Sequence, residues 1–192
     1  MMQFDDNFFD FVHCSGGLHH TDDLFTGLKQ LARVTKKGGL LYIMTYGKGG
    51  LIRDITSYLR DKYVQDKDFK SLIDSLNSDF FSNFFTEIFT IMIKNNDSLG
   101  NQIPMETIKS LFDEDLVLSI KDRITAPVYH EHSEEELVSF LNNSGFSKIE
   151  RLIRYPTLTN VRRFLSPLYY KYDSKFSKIL YGSGCIQLKA TK

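Results

Sequence analysis

Apolar and polar positions along the chain change period several times, and each change predicts an element. Phe11–Ser15 is a short, largely apolar run ending in Ser15-Gly16-Gly17, which predicts a strand buried on both faces. Thr21 or Asp22 stands where a helix N-cap is needed, and Leu24, Leu28, Leu31 and Ala32 then recur on one helical face. Lys36-Lys37-Gly38-Gly39 predicts the close of that helix, with cations near its negative end and glycine for a left-handed cap. Leu40–Tyr46 follows as a near-continuous apolar strand. Strand, helix and strand in this order predict a right-handed parallel crossover.

From Leu51 to about Arg123 only helical spacing is visible. Leu51, Ile52, Ile55, Tyr58 and Leu59 share one face, and Phe80, Phe81, Phe84, Phe85, Ile88, Phe89 and Met92 share another. Such an aromatic face suits a core or the apolar wall of a substrate pocket. The sheet resumes after Pro127. Ser133-Glu134-Glu135-Glu136 is a capping box, Leu137, Phe140 and Leu141 supply a buried face, and Gly145 ends the helix. Phe146 to Tyr155 predicts a charged edge strand, and Cys185 to Ala190 a last strand alternating Ile186, Leu188 and Ala190 against polar positions. Short helices are expected in the Tyr-, Lys- and Arg-rich segment between them. The expected organisation is therefore residues 1–50 and 124–192 in one α/β body, with 51–123 as a helical insertion.

Composition narrows the function classes. Among 192 residues, 24 are Lys or Arg and 24 are Asp or Glu, so the formal charge is zero. That balance gives no electrostatic footprint for nucleic acid or an anionic membrane. Cys14 and Cys185 lie too far apart in sequence to suggest a disulfide framework. An acidic first turn is unlike a secretory signal, and no apolar run reaches membrane-spanning length, which predicts a cytoplasmic protein. His13, Cys14, His19 and His20 match no zinc-ligand spacing, so no metal is expected.

Candidate chemistry gathers at the strand ends. Ser15 and Gly16 follow the first strand, where open α/β sheets bind ligands, although a tight turn needs glycine for steric reasons alone. His19 and His20 can position a substrate or accept a proton, or can simply pack or cap. Tyr46 and Lys48 close the next strand on the same edge, and Tyr129, His130 and His132 precede the capped helix. Of these, Tyr46, Lys48 and His130 are the substrate-contact candidates, against a structural or solvated role for each. Arg151, Arg154, Arg162, Arg163, Lys171, Lys175 and Lys178 make a local basic excess, either a solvated face or a contact for an acidic partner. Tyr46-Gly47-Lys48-Gly49-Gly50 follows a strand but lacks phosphate-loop spacing.

Two blocks carry a family resemblance. Phe8-Phe9-Asp10-Phe11-Val12-His13-Cys14-Ser15-Gly16-Gly17-Leu18-His19-His20-Thr21 and Gly27-Leu28-Lys29-Gln30-Leu31-Ala32-Arg33-Val34-Thr35-Lys36-Lys37-Gly38-Gly39 resemble the fourth strand, its helix and the approach to the fifth strand of class I S-adenosylmethionine-dependent methyltransferases. The small-molecule branch called type 11 is the most similar, with Lys37 standing where proline is usual. Ser133-Glu-Glu-Glu-Leu with Gly145-Phe146 is similar to the family's late helix and sixth strand.

The resemblance implies an α/β fold: a partial Rossmann-like methyltransferase sheet, strands four to seven, with the helical insertion as a substrate cap. It implies an N-terminally truncated domain without the Gly-x-Gly loop and the acidic residues that hold the ribose and adenine. S-adenosyl-L-methionine is the implied cofactor, with Cys14, Ser15 and Gly16 against it and His19 or His20 as candidate base. Displacement at a methyl carbon asks mainly for positioning and desolvation, so no strong catalytic pair is required. A small molecule is the expected acceptor, with neither nucleic acid nor membrane as partner. Two rival expectations are a non-catalytic remnant and a structural partner for a chain carrying the first half. The fourth strand, lacking its neighbours, would be an exposed hydrophobic edge open to that partner or to self-association.

Overall fold

The computed structural model describes residues 3–94, 110–111, 113–153 and 173–192. In chain order these form β1 (Phe9–Ser15), a 3-10 turn (Leu18–His20), α1 (Leu24–Val34), β2 (Thr35–Tyr46), α2 (Leu51–Gln65), α3 (Lys67–Ser75), α4 (Ser78–Lys94), α5 (Glu114–Thr125), α6 (Glu134–Asn143), β3 (Ser147–Arg151), α7 (Lys175–Tyr181) and β4 (Cys185–Thr191). The chain divides into two compact units. Described residues of the first fall in Met1–Ile55, Ala126–Arg154 and Leu168–Lys192, and those of the second in Thr56–Thr125.

The first unit is built on a four-stranded sheet of order β1-β2-β4-β3. β1 and β2 are parallel, and β4 runs antiparallel to both β2 and β3. Its register sets Val12 beside Leu41, Cys14 beside Ile43, and Ile43 beside Leu188. Because strand side chains alternate, Val12, Leu41, Ile43, Ile186, Leu188 and Ala190 share one face. Leu24, Leu28 and Leu31 of α1 and Leu137 and Leu141 of α6 bury against that face in one core.

Local signals explain the helix ends. Asp23, one residue beyond the expected cap, accepts hydrogen bonds from the N–H groups of Phe25 and Thr26. The glycine stop expected at Gly38 is also revised. α1 runs directly into β2 at Thr35, whose N–H donates to the Leu31 carbonyl and whose backbone is already extended. Gly38, at φ +77°, lies inside β2. Its N–H donates to the Lys192 carbonyl at 2.7 Å, and the Lys192 N–H returns to Gly39 at 3.0 Å. The glycine therefore lets β2 bulge where Phe9 pairs with Thr35 but Phe11 pairs with Leu40. The capping box at Ser133 and Glu136 forms as the spacing predicts.

β1 is not buried on both faces. Among the described strands it pairs only with β2, and Phe11 is 58% exposed. His13 and Tyr42 stack at 4.8 Å on that same outer face. β3 occupies the opposite end of the sheet, as its charges lead one to expect. Arg154, Arg162, Arg163 and Lys171, the outer end of the predicted 146–155 strand and most of the following Tyr-, Lys- and Arg-rich segment lie outside the described residues.

In the second unit, Ile73, Leu76, Val117 and Ile124 make a small core, with Leu59, Tyr63, Phe69, Phe81 and Ile120 packed on it. The aromatic face of α4 only partly joins it, since Phe80 and Phe84 are exposed. α2 reverses its expected polarity. Leu51, Ile52, Ile55 and Tyr58 are exposed, whereas Arg53 and Thr56 are buried. The contacts of Arg53 described below explain its inward position. Among the described residues, no helix is long and apolar enough to cross a membrane.

Candidate functional site

The parallel pair β1 and β2 brings two loops together at their carboxyl ends, the position where such sheets bind ligands. After β1, Gly16 turns at φ +79° while its N–H donates to the Met44 carbonyl at 3.2 Å. Ser15 is exposed at this turn. Cys14 faces the core, and its burial pushes the thiol pKa up, so it stays protonated and a poor nucleophile. Leu18–His20 then forms the 3-10 turn, closed by the Thr21 hydroxyl on the Leu18 carbonyl at 2.7 Å.

A segment from far along the sequence straps the two loops together. His130 N–H donates to the His19 carbonyl at 2.9 Å, and His132 N–H to the Tyr46 carbonyl at 3.2 Å. Lys48 N–H donates back to the His132 carbonyl at 3.0 Å. The His20 ring joins in, Nδ1 lying 2.8 Å from the Val128 carbonyl. A carbonyl only accepts, so Nδ1 carries the proton and the neutral ring has its lone pair on Nε2.

Side chains of the strap and loops make an aromatic cluster. His19 is fully buried, its ring centroid 3.9 Å from Tyr46 and 4.3 Å from His20. Tyr46 and Tyr129 lie 5.5 Å apart. Arg53, 8% exposed, lays its guanidinium over Tyr46 at 4.4 Å and donates from Nη1 to the Tyr129 hydroxyl. Burial drives the Tyr129 pKa far up, and the Glu131 carboxylate pushes the same way against the Arg53 charge. Tyr129 is therefore a neutral phenol. Arg53 and Glu131 were invisible as site residues in the sequence. Arg53 lies on the side of α2 opposite Leu51, Ile55 and Leu59, so helical spacing assigned it to the solvated face.

The expected site residues are thus brought together unequally. His19, His20 and Tyr46 share the cluster. The Lys48 ammonium reaches instead to Glu136 at 2.6 Å, tying the loop after β2 to the start of α6. His130 offers its backbone to the strap, and its ring Nε2 is buried without a hydrogen-bond partner among the described residues. Gly47-Lys48-Gly49-Gly50 is not an open cradle. A Cβ on Gly50 would lie 2.3 Å from the Gly182 nitrogen, so the loop is filled by the chain's own backbone.

His132 supplies a pH test. Desolvation lowers its pKa, and Glu136, 3.6 Å away, offsets only part of this. The unfolded chain therefore takes up a proton near the ordinary histidine pKa of about 6.5, while the native state resists until lower pH. Stability should fall as pH drops from about 6.5 toward the folded pKa. Urea titrations at pH 7.5 and 5.5 check this, with His132→Asn expected to flatten the difference. An unchanged slope in that variant would assign the effect elsewhere.

A family model described as a methyltransferase domain matches residues 1–43, which hold β1, the 3-10 turn, α1 and most of β2. No match was found among curated proteins. Solved structures similar to it include a SAM-dependent methyltransferase of Thermotoga maritima, at 15% identity and TM-score 0.42, covering 100% of this chain and 60% of that one. A Haemonchus contortus phosphoethanolamine N-methyltransferase in complex with S-adenosyl-L-methionine is 16% identical at TM-score 0.41, covering 99% of this chain and 34% of that one. The PKMT2 protein of Rickettsia typhi is 11% identical at TM-score 0.49, covering 96% and 36%. The chain thus spans 60% or less of the length of these three structures.

Proposed function

We propose that this chain supplies the substrate side of a cytoplasmic S-adenosylmethionine-dependent methyltransferase acting on a small molecule, and that these 192 residues do not turn over alone. The observation that carries the reading is the strand order β1-β2-β4-β3 with β4 antiparallel, joined to the family match over residues 1–43. In the family that the sequence resembles, the seventh strand runs antiparallel between the fifth and the sixth, which would give this order for strands four to seven.

Fit to the cofactor is one-sided. Ser15 offers an exposed hydroxyl and Gly16 a turn without a Cβ, so these two residues would flank it. The glycine loop after β2 is packed shut and contributes nothing to such a site. When bound, the cofactor would supply an electrophilic methyl group. The chain's own part is to orient the acceptor against Tyr46 and to receive a proton at His20 Nε2, whose basic tautomer Val128 sets.

Calorimetric titration tests both halves of the reading. The chain alone should give no saturable heat with millimolar S-adenosylmethionine. Co-expression with a polypeptide carrying a family first half, with its Gly-x-Gly loop, should restore binding by covering β1. Tight binding by the chain alone would overturn the inactivity, and no binding in either case would overturn the methyltransferase reading. Exposure of Phe11 on the edge strand also favours association between copies, so a sharp monomer at all concentrations on size exclusion would count against an adhesive edge.

A further inference from the structure

We propose that Arg53 is an anion-recognition residue, reading a carboxylate or phosphate group on the small molecule that docks at the carboxyl ends of β1 and β2. This rests on the proposed function for the identity of the site, but the binding it describes needs neither S-adenosylmethionine nor turnover.

A guanidinium in so buried a residue is costly unless its face and its N–H groups are matched. Two of those needs are met here. The face lies on Tyr46 at 4.4 Å, and Nη1 is tied to the Tyr129 hydroxyl. Glu131 balances the charge only loosely, with Nε 3.8 Å from its carboxylate, beyond hydrogen-bond length. Among the described residues Nη2 has no hydrogen-bond partner. A planar fork stacked on one face and tethered at one corner presents its remaining N–H groups rigidly. That is the geometry which takes a carboxylate or phosphate oxygen pair.

The surroundings favour an anion over a cation. Arg53 lies in the first turn of the 15-residue α2, where the helix dipole is positive. The face of Tyr46 already holds the chain's own cation, so a cationic ligand would have to displace Arg53 against like charge. Glu131 is then a competitor for the guanidinium as well as its counter-ion. If Arg53 were only a clamp for α2, removing the Glu131 charge would loosen the site. If Arg53 reads anions, the same change should strengthen binding.

The experiment titrates the isotopically labelled full chain with sodium phosphate, sodium acetate and tetramethylammonium chloride at constant ionic strength, following the Arg53 Nε–H and the Tyr46 and Tyr129 rings by NMR. Saturable shifts are expected with phosphate or acetate, and the stronger of the two identifies the oxyanion. Arg53→Gln should weaken binding about tenfold or more, and Arg53→Lys should recover only part, because it restores charge without the fork. Glu131→Gln should tighten binding about three- to tenfold. Should Arg53→Gln fail to fold by circular dichroism, the Glu131→Gln titration carries the test. Unchanged affinity in folded Arg53→Gln, weaker binding in Glu131→Gln, or saturation by tetramethylammonium alone would each overturn the assignment. Anion binding by the chain, with no S-adenosylmethionine binding even after co-expression with a family first half, would sink the proposed function and leave the role of Arg53 standing.

Discussion

Gly182→Ala should cost the chain about 3 kcal/mol or more of stability, read as a shift in the urea midpoint at constant slope. Gly182 sits at φ 56° and ψ −125°, outside the regions open to side-chain-bearing residues. Its added Cβ would also fall 2.2 Å from the Lys48 carbonyl oxygen and 2.4 Å from the Gly49 carbonyl carbon. Both obstacles are backbone, so no rotamer change relieves them. The contact holds the loop after β2, where Ser183 N–H donates to the Lys48 carbonyl at 2.9 Å and Gly47 N–H to Gly184 at 2.7 Å. Gly145→Ala isolates the conformational part, because Gly145 also has a positive φ but nothing within 4 Å of the Cβ position. That variant should lose only about 1 kcal/mol. Equal losses in the two variants would show that the clasp is looser than drawn.

Leu28→Ala should destabilise the first unit by about 2–5 kcal/mol. Leu28 is 0% exposed in the core between α1 and the sheet, so removing its branch leaves a cavity as well as a lost transfer term. Leu118→Ala, at a position 67% exposed in the second unit, should stay within about 0.5 kcal/mol. Denaturation followed by circular dichroism measures both. A small effect for Leu28→Ala would mean that the sheet and α1 are not tightly packed. The same variant should also disturb the loop after β1, since Leu18 belongs to that core and packs directly beneath Gly27.

Much of the first unit was legible because its cues are local. The helical spacing of Leu24, Leu28 and Leu31, the capping box at Ser133 and the alternation through Ile186, Leu188 and Ala190 each need only a few neighbouring residues. The misplaced features depend on distant partners. Gly38 looked like a helix stop, but Lys192, which pairs with it, comes 154 residues later. Phe11 looked like a residue of a doubly covered strand, because apolar character does not reveal whether a second layer is present. The candidate site follows the same division. His19, His20 and Tyr46 could be picked out because strand ends are recognisable. Arg53 and Glu131 could not, because an arginine opposite the apolar face of a helix reads as solvated and carries no sign of the tyrosines that will hold it.

Sequence alone therefore determined the order of elements and the parallel β1–β2 pair, since periodicity and caps act over short distances. Tertiary structure decided which strand end became a site. Only folding brings Val128, His130 and His132 across the loops after β1 and β2, and only there does a buried guanidinium meet two tyrosines and a carboxylate. That meeting depends on desolvation and on contacts across more than 70 residues, which no local pattern records.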